Sequence, residues 1–130
     1  MIGIDTNVLA RFLAQDDAVQ SQRADSLLQT LSPQDPGFVS LVSLIELAWL
    51  MRSRYHLSKS ELIQSLERLL NSPELVIESQ STVAQAIVRF GAANADFADC
   101  LIERSGHLAG CKHTATFDVN AAKISGMKLL

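Results

Sequence analysis

Five acidic residues stand where chemistry is possible: Asp5, Glu46, Asp96, Asp99 and Asp118. Asp5 closes the short apolar run Met1–Ile4, and Asp118 closes Thr114–Phe117. In a parallel sheet, residues just past the strands face the ligand crevice. Turn and capping roles would also account for either acid alone. Glu46 lies in the run Leu41–Met51, among Val42, Ile45, Leu47, Trp49 and Leu50. A carboxylate in so apolar a helix is seldom buried unless paired or metal-bound. The alternative is a narrow polar stripe shared with Ser43 and Ser53. Asp96 and Asp99 are three residues apart, so a helix puts both on one face. There Asp96 could be the N-cap and Asp99 a first-turn acid suited to the helix dipole.

These acids come from four segments expected near one end of one sheet. Like charges about 4 Å apart repel by roughly 4 kcal/mol at an effective dielectric of 20. Such a cluster raises its own pKa values unless a cation joins it. Mg²⁺ or Mn²⁺ would resolve the repulsion, since hard cations take carboxylate oxygens and keep several waters. All-carboxylate sites of this kind suit phosphodiester hydrolysis by a metal-activated water.

The elements that must position them alternate. Short strands are expected at Met1–Ile4, Phe38–Leu41, Leu75–Ile77, Thr114–Phe117 and Met127–Leu130. Helices are expected after Asp5, from Asp16 and Asp17, after Ser43 to about Arg54, and behind the capping box Ser58-Lys59-Ser60-Glu61. Further helices are expected over Ser81–Phe90, broken by Gly91, and from Asn94 or Asp96 to Gly106 or Gly110. A helical turn or two follows at Ala121–Ile124. Ser32–Gly37, with two prolines and a glycine, is the clearest loop. The alternation predicts an α/β fold: a short, mostly parallel sheet with helices on both faces.

The chain has 130 residues, the usual size of one domain, and residues 1–130 are read as a single one. Composition is 48% hydrophobic and 19% charged, which suits a globular protein that needs no disulfide or structural metal. Cys100 and Cys111 lack zinc or disulfide spacing and read as two small buried thiols in a reducing compartment. No apolar run is long enough to span a membrane, and the N-terminus has no basic leader, so a cytoplasmic location is expected. A net charge of −3 argues against a broad basic groove. It leaves nucleic acid open, because acids that hold cations conceal their charge in use. The cluster Arg52, Arg54, His56 and Lys59 reads as a solvated helix end.

As a set, Met-Ile-Gly-Ile-Asp5-Thr6-Asn7, Ser43-Leu-Ile-Glu46-Leu, Ala95-Asp96-Phe-Ala-Asp99-Cys-Leu-Ile and Thr114-Ala-Thr116-Phe-Asp118 resemble the PIN domain. The resemblance covers essentially the whole chain in the right order and is nearest to the toxins of VapBC-type toxin–antitoxin systems. It implies a three-layer PIN-like fold and a metal-dependent endoribonuclease using Mg²⁺ or Mn²⁺. It also implies an RNA substrate, a cognate small antitoxin and a homodimer. Asp5, Glu46, Asp99 and Asp118 match the family's four acids. Asp96 is an extra acid that shares the metal site or caps its helix. Thr6 and Asn7 resemble the polar pair after the first acid, and Thr116 resembles a threonine that orients the fourth. Arg11 is a candidate to hold a neighbouring phosphate or an antitoxin contact, or is simply solvated. The family often has small residues where Glu103 and Arg104 stand, and these two are expected at the surface.

On this reading Asp5, Asp99 and Asp118 hold the metal while Glu46 completes the shell or deprotonates the attacking water. His56, His107 and His113 have no acid–base partner visible in the sequence and read as structural. In the Glu46 helix, core packing takes most of Leu47, Trp49, Leu50 and Met51, leaving some for a dimer face or an antitoxin groove. The rival from another class is a PIN-type scaffold that grips RNA or protein without cutting. A receiver-type signalling domain lacks its lysine after a strand here. A phosphatase lacks its Asp-x-Asp, since Asn7 stands in the second place.

Overall fold

A computed structural model describes residues 1–130, a mixed α/β chain of six helices and five short parallel strands. It divides into two compact units, Met1–Gln80 and Ser81–Leu130. The strands form two sheets rather than the single one expected.

In the first unit, β1 (Ile2–Gly3), β2 (Gly37–Val39) and β3 (Leu75–Ile77) pair in parallel in that order. The register sets Gly3 against Phe38, and Phe38 against Val76. A Cβ at Gly37 would sit 2.9 Å from both Ile4 Cγ1 and Leu31 Cδ1, so glycine permits that approach. α1 (Thr6–Ala14) and α2 (Ala18–Thr30) cross from β1 to β2. α3 (Leu41–Ser53) and α4 (Lys59–Leu70) cross from β2 to β3. Their apolar faces bury Leu9, Leu44, Leu47, Met51, Leu62, Leu66 and Leu69 with Val39 of the sheet.

Capping explains where α2, α3 and α4 begin. The Asp17 carboxylate accepts from the Val19 and Gln20 amides. Ser58 and Glu61 form the expected reciprocal box. Ser40, not Ser43, caps α3, its hydroxyl accepting from Ser43 N at 3.1 Å. The strand therefore stops at Val39, earlier than the apolar run suggested. Either serine has the chemistry, and the ladder pairing Val39 with Ile77 decides between them.

In the second unit, α5 continues from Gln80 through Gly91 to Ala92. Buried Phe90 packs edge-to-face on Phe97, centroids 6.0 Å apart. Packing of that size outweighs a glycine's helix penalty of about 1 kcal/mol. α6 (Phe97–Leu108) passes Gly106 and ends at Gly110, whose φ is +92°. Gly110 N donates to His107 O and Cys111 N to Gly106 O, the two bonds of a Schellman motif. This turn leaves Cys111 exposed, which corrects its expected burial; Cys100 is buried. β4 (Thr114–Thr116) and β5 (Met127–Leu129) pair in parallel around a 3₁₀ turn, Ala121–Lys123.

Glu103 and Arg104 overturn the surface expectation. They are only 2% and 8% exposed. Arg104 grips Glu103 with both arms of its guanidinium, at 2.6 and 2.7 Å, and donates to Gln85 Oε1 at 3.3 Å. Arg89 lies 3.8 Å from the same carboxylate and donates to Ser125 O at 2.8 Å. The pair thus joins α5, α6 and the approach to β5. The Arg104 contact, reinforced by the charges of Arg104, Arg89 and His107, holds the Glu103 carboxyl below its ordinary pKa.

Candidate functional site

In the first unit, Asp5 sits between β1 and α1 at the N-cap position, with extended backbone. Its side chain makes no capping hydrogen bond, unlike Asp17, Ser40 and Ser58. The carboxylate is exposed and is not spent on its helix. Thr6 behind it is buried and donates to Ser43 O on α3 at 3.4 Å. That bond ties the Asp5 turn to the helix carrying Glu46. Glu46 is exposed, one turn from Val42 and Trp49, which are 70% and 69% exposed. Ser53 is exposed on the same side, while Ser43 is only half-exposed. The stripe is therefore not purely polar: two exposed apolar side chains flank Glu46.

Asn7 is exposed and lines a cleft of about 290 Å³ between α1 and α2, with Arg11, Gln20 and Arg23. The Arg11 guanidinium is engaged, donating to Asp16 Oδ2 at 2.8 Å, Gln20 Oε1 at 2.7 Å and Tyr55 Oη at 3.2 Å. A phosphate would have to compete with Asp16 for it. Tyr55 also donates to Asp16 at 2.8 Å, and this bond with Arg11's keeps the Asp16 carboxyl below its ordinary pKa.

In the second unit, Asp96 is the N-cap residue of α6 and, like Asp5, makes no side-chain capping bond. Asp99 is half-buried in the first turn. Burial pushes its carboxyl above the ordinary value, and the charges of Asp96 and Asp118 push it further. A backbone contact at Asp96 pulls it down only in part. Asp118 Oδ1 accepts from the Asn120 and Ala121 amides at 2.8 and 3.1 Å, and Asp118 N donates to Thr116 Oγ1 at 3.0 Å. Thr116 thus orients Asp118 through its backbone, not its carboxylate. Phe117 between them is 82% exposed, a feature sequence reading did not single out.

None of the four ion pairs in the chain uses Asp5, Glu46, Asp96, Asp99 or Asp118. No three His, Cys, Asp or Glu side chains are arranged to hold a metal ion. What fits a hard cation is the donor chemistry: Asp96, Asp99 and Asp118 crowd electrostatically with no cationic partner. The crowding has a measurable consequence. Without divalent metal, Asp99→Asn is expected to raise Tm by about 2 °C, because it removes a half-buried charge repelled by two others. A Tm that falls in thermal melts would mean the carboxylate is structurally required.

The parallel strands and the helices that connect them define an α/β module in which Asp5 and Asp118 stand just after strands. The sequence model of the PIN domain matches residues 2–127, and the chain belongs to that family. PIN domains are generally nuclease-type modules. No curated protein matches the chain. No helix is long and apolar enough to cross a membrane.

Proposed function

We propose that the chain is a metal-dependent endoribonuclease, the toxin of a VapBC-type pair, acting as one PIN domain over residues 1–130. The observation that carries this reading is the unspent state of three of the acids. Asp5 and Asp96 occupy cap positions without capping, and Asp99 is held under like-charge pressure.

Asp5, Glu46, Asp99 and Asp118 are proposed to hold Mg²⁺ or Mn²⁺, with Asp96 as an added ligand or charge. The cation would supply a nucleophilic water at neutral pH and charge neutralisation at the phosphate. The chain's own residues do the rest. Thr6 steadies the Asp5 turn through Ser43, and Thr116 steadies the Asp118 turn. Glu46, on an exposed face, is free to take a proton from water. Asn7, and Arg11 if it exchanges Asp16 for a phosphate, would contact the RNA. By the same resemblance the working form is a cytoplasmic homodimer restrained by a small antitoxin.

The test is cleavage of total cellular RNA by the purified chain. Cutting is expected with Mg²⁺ or Mn²⁺ and is expected to vanish in EDTA. RNA left intact in metal by a folded chain would move the non-cutting scaffold ahead.

A further inference from the structure

Helix α3 leaves the middle strand of the first unit's sheet, and residues just past both flanking strands bond to its first turn. On the β1 side, Thr6 donates its hydroxyl to Ser43 O at 3.4 Å. On the β3 side stands Glu78, to which sequence reading gave no role. Leu41 N, the first amide of α3, donates to Glu78 Oε1 at 3.2 Å, although 37 positions separate the two in the chain. The Glu78 backbone is fixed as well: its N donates to Val39 O at 2.9 Å and extends the β2–β3 ladder by one bond. Ile4 N donates to Phe38 O at 2.8 Å and does the same on the β1 side. Ser40 joins from α3 itself, taking the Ser43 amide and donating to the Ser43 hydroxyl, both at 3.1 Å.

We propose that Glu78 is a positioning residue: it anchors the first turn of α3 and so sets Glu46 against the Asp5 turn. This rests on the nuclease reading, in which Asp5 and Glu46 act together. It adds a residue that works through a helix amide rather than on the metal or the RNA.

Three features separate this contact from an ordinary cap. First, α3 already has its own cap in Ser40. A first-turn amide ordinarily goes to a nearby side chain or to water, and here its partner comes from another strand. Second, Glu78 is half-buried and takes part in no ion pair. Its charge is met by the Leu41 amide and by the positive end of the α3 dipole. Third, packing leaves part of the helix position open. Leu44, Leu47, Ala48 and Met51 bury one side of α3. That attraction is non-directional, so small shifts along and about the axis need directional bonds to settle them. Glu46 lies one turn and a half beyond Leu41, about 7.5 Å along the axis. A tilt of about 10° at the first turn would carry it about 1 Å, a displacement that can slow a reaction about a hundredfold.

Two substitutions pull reach and charge apart. Glu78→Gln keeps an oxygen at the same reach and loses the charge. Glu78→Asp keeps the charge and is one methylene short of Leu41 N. The first readout needs neither metal nor RNA. In amide NMR spectra of the isotope-labelled, metal-free chain, Glu78→Asp is expected to shift Leu41, the stretch Ser43–Glu46 and Thr6. It is also expected to speed Leu41 amide exchange about tenfold. Glu78→Gln is expected to leave Thr6 and Ser43–Glu46 at the parent positions. The second readout is RNA cleavage in Mg²⁺, well below the Tm of each variant. There kcat is expected to fall about tenfold in Glu78→Asp, with KM within about twofold, and to stay within about threefold of the parent in Glu78→Gln.

Shifts in Glu78→Asp confined to Leu41 and the neighbours of Glu78, with kcat unchanged, would overturn the proposal and leave Glu78 a local cap. Cleavage lost in Glu78→Gln but kept in Glu78→Asp would overturn it too, because the charge and not the anchor would then be required. If the unaltered chain cuts no RNA, the nuclease reading fails by itself. The amide shifts still decide the anchor: their spread to Glu46 and Thr6 supports it, and their confinement to Leu41 defeats it.

Discussion

Glu103→Ala is expected to destabilise the chain by about 3–5 kcal/mol, the usual cost of breaking a buried ion pair from one side. The substitution leaves the guanidinium of buried Arg104 with Gln85 for a partner. It also removes the carboxylate near Arg89 and opens space where Gly126 now passes. Gly126 has φ +97°, and a Cβ there would collide with Glu103 Oε1. Gly126→Ala therefore carries both strain and a clash in the parent, but only strain beside Glu103→Ala. The double variant is expected to be less destabilised than the sum of the two. The pH dependence has a definite sign. Glu103 has a depressed folded-state pKa, so its stabilisation is present above the ordinary glutamate range. It is lost as pH falls below that range, through the lower folded-state value. Urea denaturation of the parent and Glu103→Gln should therefore differ most at neutral pH and converge in acid. A cost under about 1 kcal/mol for Glu103→Ala would mean that water reaches Arg104 and the pair is not sealed.

Asp5→Asn is expected to reduce RNA cleavage about 10³-fold, or about 4 kcal/mol of transition-state stabilisation. Asparagine keeps the size, one carbonyl oxygen and an equal N-cap preference, and it loses the charge that a hard dication needs. Because the Asp5 side chain makes no capping bond, folding has nothing to lose. Tm without metal should move by less than about 2 °C. The combination separates the two roles open to an acid after a strand. If Asp5 served only its helix, stability and cleavage would both be indifferent to the change. Full activity in Asp5→Asn, with Mg²⁺ present, would remove Asp5 from the chemistry.

Much of the local structure is written in neighbouring residues. The Ser58-x-x-Glu61 box, the helix start at Asp16 and Asp17 and the Leu75–Ile77 strand each depend on a few adjacent side chains and backbone groups. The placement of Asp5 and Asp118 just after strands was legible for the same reason. Gly91 shows where local reasoning stops. Its helix penalty is real, and Phe90 packing on Phe97 overrides it.

Sequence alone determined the order of strands and helices, the acids that follow them and the family they resemble, because period, caps and spacing are short-range properties. Tertiary structure alone decided that Glu103 and Arg104 go inside and that Trp49 stays outside. A charged pair and an indole each carry enough apolar and polar character for either place. Their fate depends on what crosses opposite them: Gln85, Arg89 and the Gly126 backbone close over the ion pair, and nothing in the chain closes over Trp49.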